Sequence, residues 1–223
     1  MQIGILGTGM VGRALTEGFL GTGHDVSMGT RDVHETMVRQ LDGTPASIAE
    51  WLAQNPSVAL ADFASVAGAA DVVVNATNGS GTLAALTEAG AANLAGKVLL
   101  DVSNPLDFSK GFPPTLTVKD TDSLGEQVQR AFPEARVVKS LNTMNASVMV
   151  NPGVLAEPTT VFLSGDDPDA KATVSALLGE FGWTDILDLG DITTARGPEM
   201  WLPLWLRVMG AVGGPMFNLR IVR

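Results

Sequence analysis

The chain is 223 residues long and contains no cysteine, no tyrosine and only two histidines, His24 and His34. Disulfides, thiolate metal sites, thiol nucleophiles and any reduction that takes its proton from a tyrosine are therefore excluded, and a metal site would have to recruit one of two imidazoles, so none is expected. A hydrophobic share of 45% allows a sizeable core, while a formal charge of −10 with dispersed basic residues argues against nucleic acid or an anionic membrane as partner.

From the N-terminus, Met1-Gln2-Ile3-Gly4-Ile5-Leu6 carries no basic leader, and a cytoplasmic protein is expected. Apolar runs at 2–6, 25–28, 58–60, 71–75, 98–102 and 136–140 alternate with helical patterns. This predicts an α/β fold, a doubly wound parallel sheet of the Rossmann type covered on both faces. Asp32 with Glu35 and Ser123 with Glu126 read as capping boxes, and Thr44-Pro45 reads as a further helix start.

Beyond residue 151 the pattern changes to a strand at 160–164, a helix from Pro168 capped by Asp167, a short strand at 186–189 and a last helix from Pro198. In that helix Trp201, Leu204, Trp205, Val208, Met209 and Val212 form one apolar stripe, and Leu202 with Leu206 make the opposite side apolar as well. Such a helix is expected to pack on the body and also to lie in a subunit interface or under a ligand; core packing alone is the alternative. Pro203, Arg207 and Pro215 make the same stretch a poor membrane span. The expected division is a nucleotide-binding domain over 1–150 and a small capping or dimerisation region over 151–223, an α/β extension ending in the hydrophobic helix.

The first strand runs directly into Gly7-Thr8-Gly9-Met10-Val11-Gly12 and then into an apolar helical stretch. This is G-x-G-x-x-G in its strand–turn–helix setting, where the glycines allow a tight turn, a close approach to a pyrophosphate and close helix–strand packing. The second strand leads into Gly29-Thr30-Arg31, where an NAD-specific protein usually places a carboxylate on the ribose. The Thr30 hydroxyl and Arg31 guanidinium are donors, so NADP is preferred over NAD; Asp32 is assigned to the cap of the next helix. Two further strands end in Ala76-Thr77-Asn78 and in Ser103-Asn104-Pro105, small polar groups at carboxyl ends of strands, suited to riboses and a carboxamide.

The sixth strand ends in Val138-Lys139-Ser140-Leu141-Asn142-Thr143-Met144. The order of these motifs, closed by Phe217-Asn218-Leu219-Arg220, resembles the deazaflavin (coenzyme F-420)-dependent NADP oxidoreductase family in its bacterial branch, over essentially the whole chain. The cytoplasmic domains of membrane metalloreductases are similar to that family. The resemblance implies a homodimer, with a C-terminal region covering the nicotinamide, and a hydride moved between NADPH and coenzyme F-420 or a flavin. It also implies that Thr8, Met10, Val11, Thr30 and Arg31 hold NADP, that Ala76, Thr77 and Asn78 line the cleft, and that Asn142 and Met144 border the hydride-transfer site. Asn142 departs from the histidine of archaeal deazaflavin reductases.

Hydride transfer between stacked rings needs positioning more than a catalytic acid or base, so none is assigned; Asn142 and Thr143 are candidates to orient the rings, Ser103 and Asn104 to fix the carboxamide. A polyanionic acceptor would need local positive charge, for which Lys110, Arg196, Arg207, Arg220 and Arg223 are candidates. Two rivals stand beside this reading. One is a reductase of a small carbonyl or imine substrate, for which Lys139 and Lys171 are the available lysines. The other is a nonenzymatic NADP-binding redox sensor or scaffold.

Overall fold

Strands form where apolar residues come in runs too short for a helix and bounded by glycine or polar residues. In the computed structural model, which describes residues 1–39 and 46–223, the strands are β1 Gln2–Leu6, β2 Asp25–Thr30, β3 Ala59–Asp62, β4 Val72–Asn75, β5 Val98–Asp101, β6 Leu106–Asp107, β7 Thr115–Leu116, β8 Arg136–Lys139, β9 Thr160–Leu163 and β10 Asp185–Asp188. The helices are α1 Met10–Gly21, α2 Val33–Val38, α3 Ile48–Gln54, α4 Phe63–Ala69, α5 Thr82–Ala89, α6 Ala91–Leu94, α7 Leu124–Ala131, α8 Ala146–Val150, α9 Pro168–Glu180, α10 Arg196–Met200 and α11 Leu202–Val212. Thr44-Pro45, expected to start a helix, lies outside the described residues.

Six strands form one parallel sheet in the order β3-β2-β1-β4-β5-β8, the doubly wound arrangement expected. Alternation sends Ile3, Ile5, Val72, Val74 and Leu100 into one core with α1, α3 and α9, and sends Leu6, Val73, Leu99 and Val137 into a second core with α4, α5 and α7. The strand order reverses between β1 and β4. Chains rising from these two strands diverge to opposite faces and leave a crevice at their carboxyl ends.

Three expectations change. Strand β2 continues to Thr30 because Gly29 and Thr30 pair with Ala61 and Asp62 of β3, a strand whose weak apolar character hides its length. The last helix begins at Arg196 rather than Pro198 and is interrupted at Trp201. Pro203 has no N–H to donate and its ring clashes with the carbonyl four residues back, so it stands in the first turn of a new helix. The expected capping boxes are half formed: Asp32 and Ser123 each accept from the backbone N–H three residues on, but the Glu126 carboxylate turns to the Ser123 hydroxyl and to Arg196. A complete box stands at Ser47 and Glu50. Asp167 caps α9 as expected, accepting from Ala170 N at 2.8 Å.

The later part of the chain continues the first core: Val161, Leu163, Val174 and Leu178 pack with Ile3, Leu15 and Phe19. Backbone bonds of 2.8 and 3.1 Å join Lys139 to Ser164, and the terminal segment runs along β9, with Thr160 N donating to Leu219 O. Among the described residues no helix is long and apolar enough to cross a membrane.

Candidate cofactor and hydride-transfer site

The crevice between β1 and β4 opens into a cleft of about 500 Å³. Its wall is built from the loops after β1 (Gly7, Thr8, Gly9) and β4 (Ala76, Thr77, Asn78) and from the end of β2 with the residue after it (Gly29, Thr30, Arg31), together with Asp32, Glu35, Thr36, Arg39 and Phe63. Eight residues singled out by sequence thus meet in one place: Gly7, Thr8, Gly9, Thr30, Arg31, Ala76, Thr77 and Asn78. Met10, Val11 and Gly12 follow as the first turn of α1.

The glycines of the turn do different work. Gly7 has φ of 118°, and a Cβ on it would lie 2.6 Å from Ala76 O; a Cβ on Gly12 would lie 2.2 Å from Gly7 O. Both are dictated by the packing of the chain itself. A Cβ on Gly9 would meet nothing within 4 Å. Gly9 is also the N-cap of α1 and gives it no side-chain cap, so the first N–H groups of a twelve-residue helix face the cleft's mouth with the positive end of the helix dipole.

At the other end, Thr30 Oγ1 and Thr36 Oγ1 are 2.7 Å apart and both residues are buried. The Arg31 guanidinium stays largely exposed, with Nε 3.7 Å from Glu88 Oε1, and Arg39 closes α2 on the same cleft. Asp32 Oδ1 accepts from Glu35 N, so this carboxylate is engaged as a cap.

Deeper in, the strand ends are tied by a buried charged network. Lys139 Nζ donates to Asp101 Oδ2 at 2.9 Å, to Ser103 O at 2.6 Å and to Glu199 Oε1 at 2.8 Å, which uses all three of its protons. The other Asp101 oxygen accepts from Asn75 Nδ2, Ser103 N and Ser103 Oγ. Glu199, carried by α10, also accepts from Leu124 N and Gly125 N at the start of α7. Burial on its own pushes the Lys139 ammonium down, but the carboxylates of Asp101 and Glu199 outweigh it and hold the group above the ordinary lysine value. Lys139 is therefore a charged structural tie, saturated by its partners, and its expected availability as a catalytic lysine is corrected. Lys171 is likewise held by Asp188 and Gly190 O.

The network fixes the loop that presents Ser103, Asn104 and Pro105. Asn104 Nδ2 donates to Asn142 O at 2.9 Å and Asn142 Nδ2 returns a bond to Asn104 Oδ1 at 3.0 Å. Leu141, at φ 62°, turns the chain so that Asn142 can make this exchange, a left-handed conformation that costs about 1–3 kcal/mol in a residue with a side chain. Asn142, Thr143 and Met144 are 3%, 2% and 6% exposed, and neither they nor residues 103–105 line the cleft. Of the candidate acceptor cations, Arg196, Arg220 and Arg223 are taken by Glu126, Glu157 and Asp185.

Sequence reasoning missed Thr36, Arg39 and Glu199. Asp101 and Lys139 had a readable signal: both are charged residues closing buried apolar strands, and they face each other in register across β5 and β8. Removing one partner of a buried ion pair strands the other charge, so Lys139→Met is expected to lower the unfolding free energy by about 3–5 kcal/mol. Urea unfolding would measure it, and an unchanged midpoint would contradict the role given to Lys139.

Known proteins are similar to this chain in sequence and fold. Residues 2–105 match the family described as NADP oxidoreductase, coenzyme F-420-dependent. A crystal structure of a protein from Arthrobacter sp. FB24, assigned as an F-420-dependent NADP-reductase, is similar to this chain at 56% identity and a TM-score of 0.96, covering 100% of each chain. Metalloreductase STEAP3 of Rattus norvegicus is 29% identical over 208 residues, 92% of this chain, and the chain spans only 38% of that relative's length. An imine reductase from Aspergillus terreus has the same fold at 18% identity and a TM-score of 0.64, matching 95% of this chain to 62% of its own. Full-length similarity to the Arthrobacter protein, on top of the glycine turn at the sheet's reversal point, establishes that this chain belongs to the coenzyme F-420-dependent NADP oxidoreductase family.

Proposed function

We propose that the protein binds NADP across the crevice and moves a hydride between NADPH and a planar acceptor, a deazaflavin such as coenzyme F-420 or a flavin. One observation carries the cofactor part. The space over Gly9 is kept clear although nothing in the chain needs it, and unpaired helix N–H groups face it, a cradle suited to a pyrophosphate. The bound cofactor supplies the hydride. The protein's own groups bind and orient: Thr30, Arg31 and Arg39 at the adenosine end favour a 2′-phosphate, and the Asn104–Asn142 pair, buttressed by Lys139, provides a fixed polar floor for the nicotinamide end.

A second reading, an NADP-binding redox sensor, is favoured by the burial of Asn142, Thr143 and Met144. Mixing the protein with NADPH and a deazaflavin, a flavin or a ferric acceptor, and following the nicotinamide absorbance, separates the two. Oxidation with a planar acceptor is expected; none with any acceptor would favour the sensor.

We also infer a homodimer formed through α11. Leu204 and Val212 are 51% and 62% exposed on one face of this helix, and the buried indole N–H groups of Trp201 and Trp205 have no partner among the described residues, so the packing of α11 in a single chain is incomplete. Sedimentation equilibrium should give twice the chain mass for the native protein and the chain mass for Leu204→Glu; a native monomer would contradict the dimer.

Two substitutions test the cofactor site. Gly9→Val should leave unfolding within about 1 kcal/mol of the native chain, because only open space is filled, yet abolish NADPH binding measured by calorimetry. Retained binding would remove the main support for the reading. Arg31→Ala should raise KM for NADPH about tenfold or more, with much less effect on NADH, as loss of a charge-assisted phosphate contact does. Equal effects on both would sink the 2′-phosphate assignment.

A further inference from the structure

A chain of net charge −10 has acids to spare for its 14 basic residues, and most of these are engaged. Arg31, Arg130, Lys139, Lys171, Arg196, Arg220 and Arg223 face carboxylates, while Arg13, Lys97 and Arg136 donate to backbone carbonyls. Among the described residues no ion pair or hydrogen bond is made by the side chains of Arg39, Lys110, Lys119 and Arg207. Arg39 lines the cofactor cleft. The other three lie on the β6–β7 hairpin, just after it and on α11.

Lys119 and Arg207 line one cleft of about 230 Å³, between the hairpin and α11, whose walls are Pro113, Leu116, Pro203 and Leu206. Pro203, Leu206 and Arg207 share one side of α11 by their spacing, with Arg207 at its edge next to the exposed Leu204. The cleft adjoins the strand-end loops: Thr117 N and Oγ1 donate to Pro105 O, and β6 begins at the next residue, Leu106. Two like charges left without an acid beside an apolar slot repel each other and attract an anion.

We propose that this cleft binds an anionic arm of the hydride acceptor, a phosphate or carboxylate on an aliphatic stem, with the stem against Pro113, Leu116, Pro203 and Leu206 and the anion between Lys119 and Arg207. The inference rests on the hydride-transfer reading for the identity of the ligand as acceptor. It makes the acceptor an elongated anion with its ring near the Asn104–Asn142 pair, and it makes Lys119 and Arg207 specificity-determining residues.

FMN and riboflavin carry the same ring and differ by one phosphate, so their binding to the full chain loaded with NADP⁺, followed by quenching of flavin fluorescence, isolates the arm. FMN is expected to bind about tenfold tighter than riboflavin, with the gap falling to about twofold in Lys119→Gln/Arg207→Gln while riboflavin and NADP⁺ affinities stay unchanged. Equal affinities in the native protein, a preference that survives the double substitution, or no binding of either flavin would overturn the proposal. Failure of the hydride-transfer reading looks different: FMN preference persists, and NADPH is not oxidised by any acceptor.

Discussion

The ammonium of Lys139, buried between Asp101 and Glu199, is the interaction on which the geometry of the site depends. Taking these charges out of water costs several kcal/mol per ion, so the cluster persists only because every donor of the lysine is used and the excess negative charge is met by further N–H groups. Asp101 receives Asn75 and Ser103, and Glu199 receives Leu124 and Gly125 at the positive end of α7. One lysine thereby joins the ends of β4, β5 and β8 to α7 and α10. These strand ends carry the loops Ala76–Asn78 and Ser103–Pro105, so the β4 side of the crevice is tied to the C-terminal helices.

Close backbone approach completes what the charges begin. A Cβ on Gly79 would lie 1.9 Å from Asn104 O, which brings the loop after β4 against the loop after β5 with no room for a side chain. The Asn104–Asn142 exchange then extends the rigid floor to the end of β8, at the expense of the left-handed Leu141. Positioning of this kind is what the proposed hydride transfer between rings would require, and a chain without cysteine or tyrosine could then serve it by holding the rings while the cofactor carried the chemistry.

Much of this was readable from residue order. Parallel strands announce themselves as continuous apolar runs such as Val72-Val73-Val74, and the glycine turn has a meaning only in the strand–turn–helix setting it occupies. What could not be read arises from contacts distant in sequence. Ala59–Asp62 is a strand because β2 lies beside it, not because its own residues favour one. The β6–β7 hairpin is two residues deep on each side, below any period. Glu199 is 60 residues beyond Lys139, just ahead of an apolar stripe that points to packing, an interface or a ligand and not to an ion pair, and Arg39 reaches the cleft through the direction in which α2 ends. The break before Pro203 is the exception, since a proline that cannot donate inside a helix is visible in the sequence itself.

The decisive measurement is a crystal structure of the chain with NADP⁺ bound. The pyrophosphate is expected over Gly9 on the N–H groups that open α1, the 2′-phosphate between Arg31 and Arg39, and the nicotinamide against the Asn104–Asn142 pair, with the Lys139 contacts unchanged. A cofactor lying away from Gly9, or a nicotinamide end that binds only after the Lys139–Asp101–Glu199 cluster has come apart, would contradict this arrangement.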